Sequence, residues 1–284
     1  MNTLRNTLIE ATDLAASIQE RHLQQGVQNL GKFGGGTTSE ECVTIADKEC
    51  EEALREFFAE RLRGYNFCGE EEGGQYDGNG KVIYVDPIDG TKSYINGTPD
   101  FGTIVGVYEN GVNIGGIVSN TKMRIKYVAT RESGFERIGP PDPQEKGAIY
   151  ISKGIKENAA LMEEILAAVQ KEFPDNPIPQ SSNILHRARV YDGAAVGYFH
   201  PSLALHDIAA NPLMGELTGV PTTDHNGVPY TTIDPAQEQR RYDSGKKESV
   251  YSKSILIGSG DYYQKLLKVL ARFKDALDKF KAVS

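Results

Sequence analysis

Residues 82–91 read Val-Ile-Tyr-Val-Asp-Pro-Ile-Asp-Gly-Thr, and no other stretch constrains the fold as tightly: strand formers run into two carboxylates, a proline, a glycine and a hydroxyl. Ile83, Tyr84 and Val85 favour a buried strand. Pro87 lacks the NH that a neighbouring strand needs, so the strand is expected to end at Asp86. The proline also holds Asp86 extended, and Gly90 removes the side chain that would keep an anion off the backbone. Asp86 and Asp89 are thus expected to converge on one rigid strand end. That setting suits a hard divalent cation such as magnesium, and the NH groups beyond Gly90 suit a phosphate.

The 284 residues allow one large domain or two lobes, each with its own core. A formal net charge of -8 gives no general attraction to nucleic acid, so the expected partner is a small phosphorylated metabolite, with no nucleic acid polymer and no membrane. Cys42, Cys50 and Cys68 lack CxxC spacing, which argues against a disulfide framework or zinc site and fits a reducing cytoplasm. Between Thr3 and Gln25, Leu4, Leu8, Ala11, Leu14, Ala15 and Ile18 recur at helical spacing among Glu10, Asp13 and Glu20. This predicts an amphipathic helix rather than a signal or transit segment. No stretch reaches the roughly 18 apolar residues of a membrane span.

Beyond Gly34-Gly35-Gly36, a helix start is predicted at Thr44, with Asp47 three residues on and Leu54, Phe57, Phe58 and Leu62 following. Strands are predicted at Val82 to Val85, Gly102 to Tyr108, Asn113 to Ser119 and Lys122 to Thr130, with Glu109-Asn110-Gly111 as a hairpin turn. This half reads as an antiparallel meander flanked by helices. Pro140-Pro141-Asp142-Pro143 is the sharpest break and divides an N-terminal lobe, 1–140, from a C-terminal α/β lobe, 141–284. In the second lobe, strands are predicted at Ala148 to Ile151, Ala195 to Phe199 and Ser252 to Ile257. Helices are predicted at Lys156 to Lys171, Leu205 to Leu217 and Tyr262 to Phe280. Residues Asp234 to Ser249 are polar without periodicity and read as a surface loop.

Three acidic clusters remain: Glu70-Glu71-Glu72 before two glycines, Asp86 with Asp89, and Asp207 at the start of an apolar helix. Taken singly, a glutamate run is a solvated turn and Asp207 complements a helix N-terminus. Taken together they supply carboxylates from several chain segments, as two-metal hydrolysis requires.

The chain resembles the inositol monophosphatase family of magnesium-dependent, lithium-sensitive phosphatases. The resemblance runs from Thr44-Ile45-Ala46-Asp47, through Gly69-Glu70-Glu71 and Asp86-Pro87-Ile88-Asp89-Gly90-Thr91, to Leu205-His206-Asp207-Ile208-Ala209-Ala210. It implies an α/β (α+β) fold, a layered αβαβα sandwich, assembled as a homodimer. It makes Glu70, Asp86, the Ile88 carbonyl, Asp89 and Asp207 ligands of two or three Mg2+ ions. Glu70 and Thr91 become the residues that ready the water, with Asp47 supporting Thr91; the helix-start reading of Asp47 stands beside this. The implied reaction is in-line attack of water on a phosphomonoester without a phosphoenzyme. Asp89, Gly90, Thr91 and Asp207 would also meet the substrate.

The alcohol is less legible. Seven residues before Asp207, where inositol-specific members tend to have a glutamate, stands His200. His206 and Tyr84 replace tryptophans common in the family. The run Gly90-Thr91-Lys92-Ser93-Tyr94 resembles branches acting on histidinol phosphate or 3',5'-bisphosphate nucleotides, which makes Lys92 and His200 candidate substrate residues. Lys92 also reads as a solvated lysine, and both histidines as packing residues. A sugar bisphosphatase would need a cationic pocket, for which Lys153, Arg187 and Arg189 are candidates. A metal-binding regulatory protein without turnover is the reading outside enzymology.

Overall fold

The computed structural model describes residues 3–27, 44–74, 76–142, 146–152, 158–179, 184–230 and 253–279. Helix α1 (Leu4–Gln25) starts where the Thr3 side chain accepts from the Asn6 NH, and buries Leu8, Ala11, Ala15 and Ile18 along one stripe. Helix α2 (Ile45–Arg61) starts in a capping box between Thr44 and Asp47. The stripes of both helices bury Leu54, Phe58 and Ile18 against Ile83, Val85, Val105, Val107 and Ile117, on one face of a six-stranded sheet. Burying each such side chain contributes on the order of 1.5–3 kcal/mol.

That sheet runs in chain order: β1 (Asn66–Gly69), β2 (Lys81–Asp89), β3 (Gly102–Glu109), β4 (Val112–Asn120), β5 (Ile125–Thr130) and β6 (Gly134–Ile138). Every neighbouring pair is antiparallel except β1 with β2, which is parallel. The hairpin predicted at Glu109-Asn110-Gly111 forms, with positive φ at Asn110 and Gly111.

The second sheet has the order β7-β8-β10-β9, built from β7 (Ala148–Ile151), β8 (Ala195–Leu203), β9 (Thr222–Thr223) and β10 (Lys253–Gly258). Between the sheets lie α5 (His186–Tyr191), α6 (Leu205–Ile208) and α7 (Asn211–Thr218), whose Leu185, Ala188, Leu205, Ile208, Leu213 and Met214 share one core with Tyr84, Ile104 and Val118 from the first sheet and Tyr150, Tyr198, Ile255 and Ile257 from the second. Helices α4 (Ala159–Glu172) and α8 (Gly260–Ala271), with the short α9 (Lys274–Asp278), cover the far face of the second sheet through Ile165, Val169, Leu266 and Leu270. The layers are therefore helix, sheet, helix, sheet, helix.

Several boundaries differ from expectation. Strand β2 does not stop at Asp86 but runs through Pro87 to Asp89. Its register with β3 shifts between Asp86 and Asp89, and its parallel pairing with β1 ends at Val85. Pro87 thus sits at an irregularity where its missing NH costs no ladder bond. The helix predicted over Leu205 to Leu217 is broken at Ala209-Ala210, with Pro212 at the start of α7. The C-terminal helix is interrupted at Arg272-Phe273. Strands β1, β6 and β9 and helix α5 lie outside the elements predicted. The surface loop predicted at 234–249 falls outside the described residues.

The break at Ala209-Ala210 positions the site. This corner nests on Gly106 and Gly116 in the centre of the sheet: a Cβ at Gly106 would stand 2.3 Å from the Ala209 carbonyl oxygen. The Tyr108 hydroxyl donates to the same carbonyl at 2.8 Å. The first turn of α6 is thereby pressed against the end of β2.

Candidate metal centre

Asp86 and Asp89 close β2, and Asp207 projects from α6 toward them. Each brings one carboxylate oxygen to within 4.8 Å of the others. Asp86 is buried, and its Oδ1 has no hydrogen-bond partner. A buried anion short of donors costs stability unless a proton or cation meets it. Hard oxygens around an unpartnered one could hold a divalent cation.

Glu70 follows β1 at the turn and is held by its NH, which donates to the Val85 carbonyl at 3.0 Å. It stands outside the trio, and its charge raises the Asp86 carboxyl. Its carboxyl is pushed well above the usual range by the surrounding protein mass and then by the charges of Asp207 and Glu71, although one side of it opens to solvent. Asp86 is raised for the same reasons, burial first and then Glu70 and Asp89. Asp207 is raised to about 6 by burial and Asp89, against the pull of Arg187 and of the Ala204 NH. That NH donates to Asp207 Oδ2 at 2.7 Å, so Asp207 also serves its helix start.

The two readings of Asp47 coexist on separate oxygens. Oδ2 accepts from the Thr44 NH at 2.7 Å and the Thr44 hydroxyl at 2.5 Å. Oδ1 lies 3.3 Å from the Thr91 hydroxyl. That hydroxyl also reaches the Ile88 carbonyl at 2.9 Å. Gly90, between them, has φ +86°, and a Cβ there would stand 2.4 Å from the Asp100 carbonyl oxygen, so a side chain is excluded by both strain and space. Thr91 opens the short helix α3 (Thr91–Ile95), on whose first turn Lys92 is exposed.

One contributor, Glu51, escaped the sequence reading, and another, Arg187, was given a different part there. Glu51, one turn after Asp47 on the same face of α2, is buried and accepts from the NH groups of Glu71 at 2.8 Å and Glu72 at 3.1 Å. It moulds the turn that carries Glu70. Its signal was present: an acid four residues beyond Asp47 on an inward face. Arg187 on α5 donates from Nη2 to Asp89 Oδ2 at 2.7 Å.

Arg187 is therefore committed to the acidic cluster, and Arg189 is held by Asp142 at 2.7 Å and 3.2 Å. The cationic pocket sketched for a second phosphate is not assembled from these two arginines, and Lys153 lies outside the described residues. His200 on β8 is half-buried, with Nδ1 accepting from the Ser202 NH at 3.1 Å. Burial and then the Arg187 charge depress it to about 3, so it is neutral. His206 turns away from the carboxylates into the core, its ring edge-on to Tyr84 at 6.2 Å and its Nε2 3.9 Å from Cys68 Sγ. The two positions that depart from family tryptophans thus pack against each other.

Comparison with known proteins gives one family and one fold. The model of the inositol monophosphatase family matches residues 1–249. A histidinol-phosphatase of Chlorobaculum parvum is 33% identical over 156 residues, 55% of each chain. An inositol-1-monophosphatase of Mycobacterium leprae is 34% identical over 119 residues, 38% of this chain and 41% of its own. The chain thus spans about half or less of the length of these relatives. Among solved structures, the extragenic suppressor protein suhB of Bartonella henselae superposes with a TM-score of 0.73 at 20% identity, covering 93% of this chain and 97% of that one. No helix among the described residues is long and apolar enough to cross a membrane.

Proposed function

Since this chain belongs to the inositol monophosphatase family, we propose that it hydrolyses a small phosphomonoester with Mg2+ held by Glu70, Asp86, the Ile88 carbonyl, Asp89 and Asp207. The observation that carries this reading is the convergence of carboxylates from β2 and α6 around a buried, unpartnered oxygen of Asp86. When bound, Mg2+ lowers the pKa of water and neutralises charge on the departing alcohol oxygen.

The residues supply the rest. The single proton of the Thr91 hydroxyl faces two acceptors, Asp47 Oδ1 and the Ile88 carbonyl, which leaves its lone pairs to accept from water and orient it. Glu70, open to solvent at the edge of the cluster, is suited to take the proton that the water loses. The water oxygen bonds to phosphorus in line with the leaving group, the ester P–O bond breaks with its electron pair passing to the alcohol oxygen, and that oxygen takes its proton from solvent. Gly90 and Thr91 address the phosphate through their backbone NH groups.

A second substrate, histidinol phosphate, is favoured over inositol phosphate by the neutral His200 at the position where a glutamate would hold sugar hydroxyls. The likeness to a histidinol-phosphatase supports the same choice. A homodimer, inhibition by lithium, a cytoplasmic setting and lobes of 1–140 and 141–284 belong to the proposal on the strength of the residues and the family.

The test is turnover of inositol phosphates, histidinol phosphate, adenosine 3',5'-bisphosphate and fructose 1,6-bisphosphate with and without Mg2+. Asp89→Asn is expected to abolish Mg2+-dependent turnover with the fold intact, and full activity in that variant would sink the assignment. Mg2+ binding without turnover of any substrate would replace the enzyme with a metal-binding regulatory protein.

A further inference from the structure

The acidic cluster contains a cation of its own. Arg187 is 4% exposed, lying between the strand-end carboxylates and the second sheet, its guanidinium 6.0 Å from the ring centroid of Tyr198 on β8. Nη2 meets Asp89 Oδ2 at 2.7 Å, while Nε is buried without a hydrogen-bond partner. An NH left bare in the interior costs stability, so hydrogen bonding alone does not account for this placement; the surrounding negative charge does. A guanidinium does not deprotonate in proteins, so the charge is permanent.

Resting on the metal-centre reading above, we propose that Arg187 is the fixed cation of this centre. It neutralises Asp89 from the protein side and leaves Asp89 one oxygen for a divalent ion. The cluster consequently binds divalent ions less tightly than its carboxylates alone would, and it stays assembled when they leave.

The test is calorimetric binding of Mn2+ to the full chain and to Arg187→Gln and Arg187→Lys. Glutamine keeps a donor for Asp89 without the charge, and lysine keeps the charge. Arg187→Gln is expected to bind Mn2+ on the order of tenfold more tightly than the unsubstituted chain, and Arg187→Lys to stay within about threefold of it. Unchanged or weaker binding in Arg187→Gln overturns the inference, as does equal tightening in both variants, because charge would then not be the cause. Should Arg187→Gln lose its fold in chelator, the dependence of its melting temperature on Mn2+ carries the comparison. A steeper rise than in the unsubstituted chain is expected, and an equal or shallower rise overturns the inference. Failure of the unsubstituted chain to bind Mn2+ would instead sink the metal centre itself, so the two failures are distinct.

Discussion

The carboxylates of α2 and those at the end of β2 lie in neighbouring layers and are treated in opposite ways. Asp47 and Glu51 are buried, and both oxygens of each are met by donors: Thr44 and Thr91 for Asp47, Glu71, Glu72 and Arg55 for Glu51. Asp86, Asp89 and Asp207 are instead crowded against one another, with Arg187 as a cation partner and an oxygen of Asp86 unmet. Burial raises the carboxyls of Asp47, Glu51 and Asp86, but at Asp47 and Glu51 the hydrogen bonds from NH and OH donors pull them back, whereas at Asp86 neighbouring negative charge pushes it further. Satisfied acids hold a backbone shape. Unsatisfied ones wait for a cation.

The sharpest way to break this contrast is to remove a charge from each side. Asp86→Asn should reduce Mg2+-dependent turnover on the order of a thousandfold, the scale of losing several kcal/mol of cation stabilisation. Yet it should melt higher than the unsubstituted chain in chelator, because a like charge has left the crowd. A lower melting temperature would mean that Asp86 is structural after all. Glu51→Ala should do the reverse, costing about 3 kcal/mol in urea denaturation, since Arg55 and two NH groups lose their acceptor. A loss below about 1 kcal/mol would put Glu51 outside the framework that holds the Glu70 turn.

The smallest effect is on pH dependence. The Asp207 carboxyl, ordinarily near 3.8, is raised to about 6 in the folded chain by burial and then by the charge of Asp89. Between those values the folded state binds more protons on Asp207 than the unfolded one, so the Asp207 contribution to stability in chelator falls as pH rises from about 4 to about 6 and is lost above. Saturating Mg2+, which binds the ionised carboxylates, should abolish the part of that slope belonging to the strand end and leave the part belonging to Asp47 and Glu51. Melting curves across this range with chelator and with Mg2+ separate the two; identical slopes would erase the distinction between the clusters.

Much of the site was legible because its chemistry is local in sequence. The helix cap at Thr44-x-x-Asp47, the turn at Asn110-Gly111 and the carboxylates flanking Pro87 all follow from one residue's effect on its near neighbours. The end of β2 was misplaced because a proline stops a regular ladder but not a bulged one, and the register shift comes from β3. The corner at Ala209-Ala210 gave no signal of its own, since small residues at 106, 116, 209 and 210 mean nothing until the chain crossing makes them touch. Arg187 read as a cation for substrate because sequence reports its charge and not its direction.

By itself the sequence determined the candidate groups: carboxylates, a hydroxyl and a glycine in an order that suits a cation and a phosphate, since these follow from residue type and spacing. The tertiary structure decided which acids are satisfied and which are left able to hold a metal. It also gave Asp47 two tasks on two oxygens, buried His206 against Tyr84, and brought Arg187 to Asp89. The reason is physical: a carboxylate's role is set by the donors and charges within a few ångströms, and here those come from segments as distant along the chain as Asp86 and Asp207.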